Sequence, residues 1–279
     1  MLRLEGIHAF YGPVHVLFDI HLEVGDGEIV ALLGTNGAGK TTILRVISGV
    51  LKPSLGHVEW NGETIDGHRP AEIVRRGIVQ MPGGRGVFPG MTIQENLEMA
   101  GFLYGRDRAK RRERIEATLE LFPILAERRR QVAGTMSGGQ QQMLTLAKAF
   151  VMDPKLLLID ELSLGLAPKV VEELLETVRR LNAQGVAVVI VEQHVDLALD
   201  VASRAYFLER GEVRFSGPAG DLRGRDDLLR SVFLAGASTA ESVEEAEETL
   251  VETIHEAEEA LATAAPAAAP IRRSRRRTR

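Results

Sequence analysis

The sequence predicts an α/β fold built on a parallel β-sheet, with a phosphate-binding loop at the end of one strand. Three observations predict it. Apolar runs at 29–33, 156–159 and 186–191 have the composition of strands covered on both faces. Between the last two runs, Val171, Leu174, Leu175, Val178 and Leu181 form a helical stripe, and strands alternating with helices build parallel sheets. The octapeptide Gly34-Thr35-Asn36-Gly37-Ala38-Gly39-Lys40-Thr41 follows the first run and fits G-x-x-x-x-G-K-[ST].

Taken in order, residues 16–24 alternate, with Phe18, Ile20, Leu22 and Val24 apolar and Asp19, His21 and Glu23 polar, so they read as a strand with one wet face. The loop at 34–41 then follows its strand. Its glycines let successive backbone N–H groups turn inward around an anion. Lys40 adds a point charge for the β- and γ-phosphates, Thr41 offers a hydroxyl to Mg²⁺, and the helix that begins here turns its positive end to the phosphates. A glycine-rich turn can also serve geometry alone, but a lysine followed by Thr41 and Thr42 has little use there. Residues 57–60, Asn61-Gly62 and 63–65 read as a hairpin with a type I′ turn. Residues 92–152 hold helical segments and no convincing strand, which predicts a helical insert over about 84–152.

Within that insert Ser137-Gly138-Gly139-Gln140 precedes an apolar helix at 141–152. Ser137 suits an N-cap, and the glycines expose N–H groups at a second anion-binding helix start. Two such starts in one chain suggest nucleotide held between two subunits. The run 156–159 ends in Asp160-Glu161. Adjacent acids at the edge of a buried strand are unfavourable unless a cation is there, although two acids capping a strand is the blander reading. In phosphate-loop enzymes the first acid supports Mg²⁺ and the second polarises water. Pro168 suits the first turn of the helix at 168–182.

Composition narrows the class. The 279 residues carry a net charge of −5, so bulk electrostatics argue against nucleic-acid binding, and none is expected as a partner. There are no cysteines, which excludes disulfides, cysteine-ligated zinc and thiol catalysis. No apolar run is long enough for a membrane span, so any membrane role is expected through a partner or a surface contact. The globular pattern covers 1–236. Residues 237–279 contain nine Glu within 241–259, then Ala and Pro, then an Arg-rich end, and this composition predicts a disordered or partly helical tail.

The loop at 34–41, Met136-Ser137-Gly138-Gly139-Gln140 and the acids at 160–161 stand in the order found in ATP-binding cassette (ABC) ATPases, which the chain resembles over about residues 1–236. The resemblance implies a P-loop NTPase core with a small antiparallel β subdomain and an inserted helical subdomain. It is strongest to the smaller ATPase subunit of branched-chain amino acid importers, through residues 85–95, 134–143, 163–168, 191–193 and 205–209, features shared with urea and other amide importers. It implies ATP and Mg²⁺ as cofactors, membrane permease subunits and a second ABC ATPase subunit as partners, and a cytoplasmic location on the inner face of the cell membrane. Asp160 would serve Mg²⁺ with Thr41, and Glu161 would be the base. Ser137 and Gly139, within 137–140, would contact the γ-phosphate held by the other subunit. Tyr11 lies 29 residues before Lys40, where the family stacks an aromatic on adenine; a sheet-core tyrosine is the alternative. Phe88 lies in the region that faces the membrane subunit.

Three positions depart from the family pattern. Counting back from residues 91–96 puts the metal- and γ-phosphate-sensing glutamine at Gly83, with Gln80 three residues early and expected on the preceding strand. Leu162 replaces the proline after the base, which is expected to loosen a turn. Gln193, beside His194, occupies the switch-histidine position; Gln hydrogen-bonds a phosphate but does not protonate at neutral pH. The departures at 83 and 193 keep one rival reading open, a nucleotide-gated dimerising module with little turnover; a second rival, a soluble ABC protein acting on nucleic acid or ribosomes, has only the basic end at 272–279 in its favour, where solvated charge is the blander reading.

Overall fold

The computed structural model describes residues 1–222 apart from residues 85, 164 and 193. The expectations for Gln193, for the boundary at 236 and for the tail at 237–279 lie outside the described residues. The chain begins with Leu2–Tyr11 (β1), Val14–Val24 (β2) and Ile29–Gly34 (β3), followed by helix Lys40–Ile47 (α1). Leu55–Trp60 (β4) and Glu63–Thr64 (β5) form the hairpin read from the sequence, with positive φ at both turn residues, 51° at Asn61 and 83° at Gly62. Helix Pro70–Arg75 (α2) leads to Ile78–Met81 (β6).

The insert holds helices Ile93–Ala100 (α3), Arg108–Leu121 (α4), Pro123–Glu127 (α5) and Gly138–Val151 (α6). Leu156–Asp160 (β7), Pro168–Asn182 (α7), Ala187–Val191 (β8) and Val195–Val201 (α8) follow. Arg204–Glu209 (β9), Glu212–Pro218 (β10) and Ala219–Leu222 (α9) complete the described chain.

One sheet has strand order β2-β1-β4-β5 and is antiparallel; the other runs β10-β9-β3-β8-β7-β6, parallel except at β10. The parallel strands explain the unbroken apolar runs. In β3, Val30 and Leu32 pack towards α1 and the antiparallel sheet, while Ala31 and Leu33 pack towards α6 and α7. Both faces are covered, so alternation has no wet side to record. Within the helical layer α3 and α4 pack on α6. Capping boxes open α3 (Thr92 with Glu95) and α6 (Ser137 with Gln140).

Candidate functional site

The loop at 34–42 leaves the C-terminal end of β3, where α/β folds place ligands. Gly34, Gly37 and Gly39 have φ of 145°, 73° and 100°, a path that side chains would obstruct. A Cβ at Gly34 would run into the Leu208 carbonyl oxygen, and one at Gly39 would stand 2.6 Å from Leu17 Cδ2. The Ala38 N–H donates to Thr35 O at 3.2 Å, and the Gly211 N–H donates to Ala38 O at 3.1 Å. The β9–β10 turn therefore braces the loop. Gly34→Ala is expected to destabilise the fold by about 2 kcal/mol and lower Tm by roughly 5 °C. A thermal scan with an unchanged midpoint would remove this account of the loop.

Lys40 is buried, and its Nζ donates to Gly34 O at 2.8 Å and Thr35 O at 2.7 Å. The ammonium is thus held over the loop rather than free to swing. Thr35 is half-buried, Asn36 and Gly37 are exposed, Ala38 and Gly39 are buried, Thr41 is exposed and Thr42 is buried in α1. No side chain caps α1 and no acid lies in its first turn, so nothing on that turn opposes an anion.

Asp160 ends β7 and is 6% exposed. It accepts from Thr41 Oγ1 at 3.3 Å. Burial pushes its carboxyl above the ordinary aspartate range, with the Thr41 bond opposing. Glu161 is next, half-buried, with a left-handed backbone (φ 51°) and its N–H donating to Val191 O at 3.0 Å. The structure therefore brings together Lys40, Thr41, Asp160 and Glu161.

The other expected residues are placed as follows. Ser137 caps α6 and accepts from the Gln140 N–H at 3.3 Å, while Gln140 Oε1 accepts from the Ser137 N–H at 3.2 Å. Ser137 and Gly138 are exposed. Gly139 is buried, and a Cβ there would collide with Val170 Cγ1, so this glycine also lets α6 approach α7. Tyr11 ends β1 half-buried, which removes it from the sheet core; its hydroxyl accepts from Arg45 Nη1 at 3.0 Å.

Gln80 lies within β6 opposite Leu158. Gly83 lies beside the acids, since a Cβ there would be 3.4 Å from Asp160 O. Phe88 is 45% exposed. Lys148 Nζ sits 4.4 Å from its ring centroid and donates to Gly86 O at 2.6 Å. Fully buried Asn96 bonds the Phe88 N–H at 2.8 Å and Phe88 O at 3.1 Å.

Leu162, which follows Glu161, has its side chain fully buried in the core. The next residue, Ser163, is tied to Glu192, with N–H to Oε1 at 2.9 Å and Oγ to Oε2 at 2.6 Å. Sequence reasoning missed Glu192, which is 2% exposed. The available signal was a carboxylate directly after an apolar strand, where a partner is required.

A phosphate loop at the end of a parallel strand, with paired acids from the neighbouring part of the sheet, defines a P-loop nucleotide-binding ATPase. The sequence profile of the ABC transporter family matches residues 17–163, and the chain belongs to that family. It is 44% identical over 213 residues to the high-affinity branched-chain amino acid transport ATP-binding protein BraG of Pseudomonas aeruginosa, covering 76% of this chain and 91% of that protein. It is 35% identical over 223 residues to a probable branched-chain amino acid transport ATP-binding protein, LivF, of Archaeoglobus fulgidus, covering 80% and 94%. The ADP conformation of MJ1267, an ATP-binding cassette of an ABC transporter, is similar with a TM-score of 0.76 and 25% identity, over 84% of this chain and 98% of that one. A dimeric MJ0796 cassette bound to ADP and Pi has a TM-score of 0.70 and 26% identity, over 78% and 99%.

Proposed function

We propose that this ATPase powers import of branched-chain amino acids through a membrane permease, working on the inner face of the cell membrane as one of two ATPase subunits that enclose two MgATP molecules. The observation that carries the solute class is the 44% identity to BraG across 91% of that protein. Among the described residues no helix is long and apolar enough to cross a membrane, so the permease would supply the pathway. Phe88, exposed on a segment held by Asn96 and Lys148, is the apolar contact offered to that permease.

The residues fit MgATP. Among the described residues no group of three His, Cys, Asp or Glu is placed to hold a metal by itself. Thr41 and Asp160 offer hard oxygen donors beside the phosphate loop, as suits an ion that keeps waters and phosphate oxygens as its other ligands. When bound, Mg²⁺ neutralises the β- and γ-phosphate oxygens. Lys40 and the N–H groups of 35–42 bind and orient the phosphates, Tyr11 stacks on adenine, and Ser137, Gly138, Gly139 and Gln140 of the second subunit close the site. Glu161 takes a proton from the attacking water.

Gln193 is assigned the γ-phosphate contact from its place in the sequence. His194, exposed at the N-terminus of α8, is not. Gln193→Ala is expected to lower turnover about a hundredfold, as for loss of one transition-state donor, and His194→Ala to be nearly silent. ATPase rates of both variants from about pH 5.5 to 8.5 check this, since a glutamine gives no titration near the histidine pKa of about 6.5. The solute assignment is tested by ATP-dependent uptake of labelled leucine and of urea into proteoliposomes holding the chain with its permease and second ATPase subunit. Leucine uptake supports the reading; urea uptake alone replaces it.

A further inference from the structure

We infer that Glu192 is a positioning residue for catalysis: its buried carboxylate gathers the turn after Glu161 and holds the base in its left-handed backbone conformation. A non-glycine residue at φ 51° is uncommon and persists where its surroundings over-determine it. Here both sides of the residue are pinned from the end of β8. On one side the Glu161 N–H donates to Val191 O at 3.0 Å. On the other, Glu192, the residue after Val191, accepts the Ser163 N–H at 2.9 Å and the Ser163 hydroxyl at 2.6 Å.

Glu192 and Ser163 are buried, at 2% and 7% exposure, so water does not substitute for these bonds without opening the turn. Burial pushes the Glu192 carboxyl above the ordinary glutamate range, with the bonds from Ser163 opposing. Because Glu192 also precedes residue 193, one carboxylate links the base-bearing turn to the chain segment assigned to the γ-phosphate.

The test uses the full-length chain and needs only ATP, so it is independent of the transported solute. Hydrogen exchange of the nucleotide-free protein is followed by mass spectrometry in Glu192→Ala, Glu192→Gln and, as a milder change, Ser163→Ala. Exchange in peptides spanning 161–163 is expected to quicken about tenfold or more in Glu192→Ala, with the rest of the sheet unchanged. In steady-state assays kcat should fall about tenfold while KM for ATP stays within about twofold. Glu192→Gln, which retains one acceptor oxygen, should fall between wild type and Glu192→Ala in both readouts. Unchanged exchange at 161–163, or kcat equal to wild type, would overturn the inference. Loosening spread evenly over the sheet would overturn it too, by assigning Glu192 to general stability. Ser163→Ala decides the matter on the same two readouts where Glu192→Ala does not fold.

Discussion

Glu161→Gln is expected to abolish turnover, by about a hundredfold or more, while leaving ATP affinity near wild type. The change removes a proton acceptor and keeps the side chain's shape, so ground-state contacts survive and the loss falls on the chemical step. The backbone of this residue is set by main-chain bonds at its own N–H and at Ser163, neither of which the substitution touches. A structural explanation of lost activity is therefore separable: Tm should not move. Single-turnover hydrolysis and equilibrium ATP binding, measured on one preparation, check both halves. Hydrolysis within a few-fold of wild type would take the base role away from Glu161.

Lys40→Ala is expected to remove tight MgATP binding. A unit charge pair at about 4 Å in a partly screened site is worth ~4 kcal/mol, or about a thousandfold in affinity. The ammonium is already fixed by the Gly34 and Thr35 carbonyls, so little ordering remains when phosphate arrives. The same bonds mean that the variant also loses two contacts inside the loop, and a thermal scan beside the titration separates loop damage from lost charge. Calorimetry showing wild-type affinity in a folded Lys40→Ala protein would rule out the phosphate role.

How far the sequence reached depends on what each element is made of. The strands at β3, β7 and β8 were legible because two covered faces demand unbroken apolar runs. The helix at 168–182 was legible because its stripe and Pro168 coincide with its boundaries. By contrast β6 is four residues long, and β1 carries register shifts that break its alternation. Periodicity has too little to work on in either. In the site, the loop glycines and Lys40 declare themselves because their backbone path admits few other residues. Glu192 did not, since its role exists only where β8 meets the turn after β7, a tertiary fact. Gly139 was read for its N–H and proves to answer to Val170 as well.

The central claim is a nucleotide site completed by a second subunit, with 34–42 and 160–161 from one chain and 137–140 from the other. Sedimentation velocity of the full-length Glu161→Gln protein tests it most directly, because blocked hydrolysis preserves the closed form. With MgATP the protein should sediment as a dimer, and it should return to monomer without nucleotide or when Lys40→Ala or Ser137→Arg is added. A Glu161→Gln protein that binds ATP yet remains monomeric at saturating MgATP, or a dimer indifferent to Ser137→Arg, would contradict the shared site.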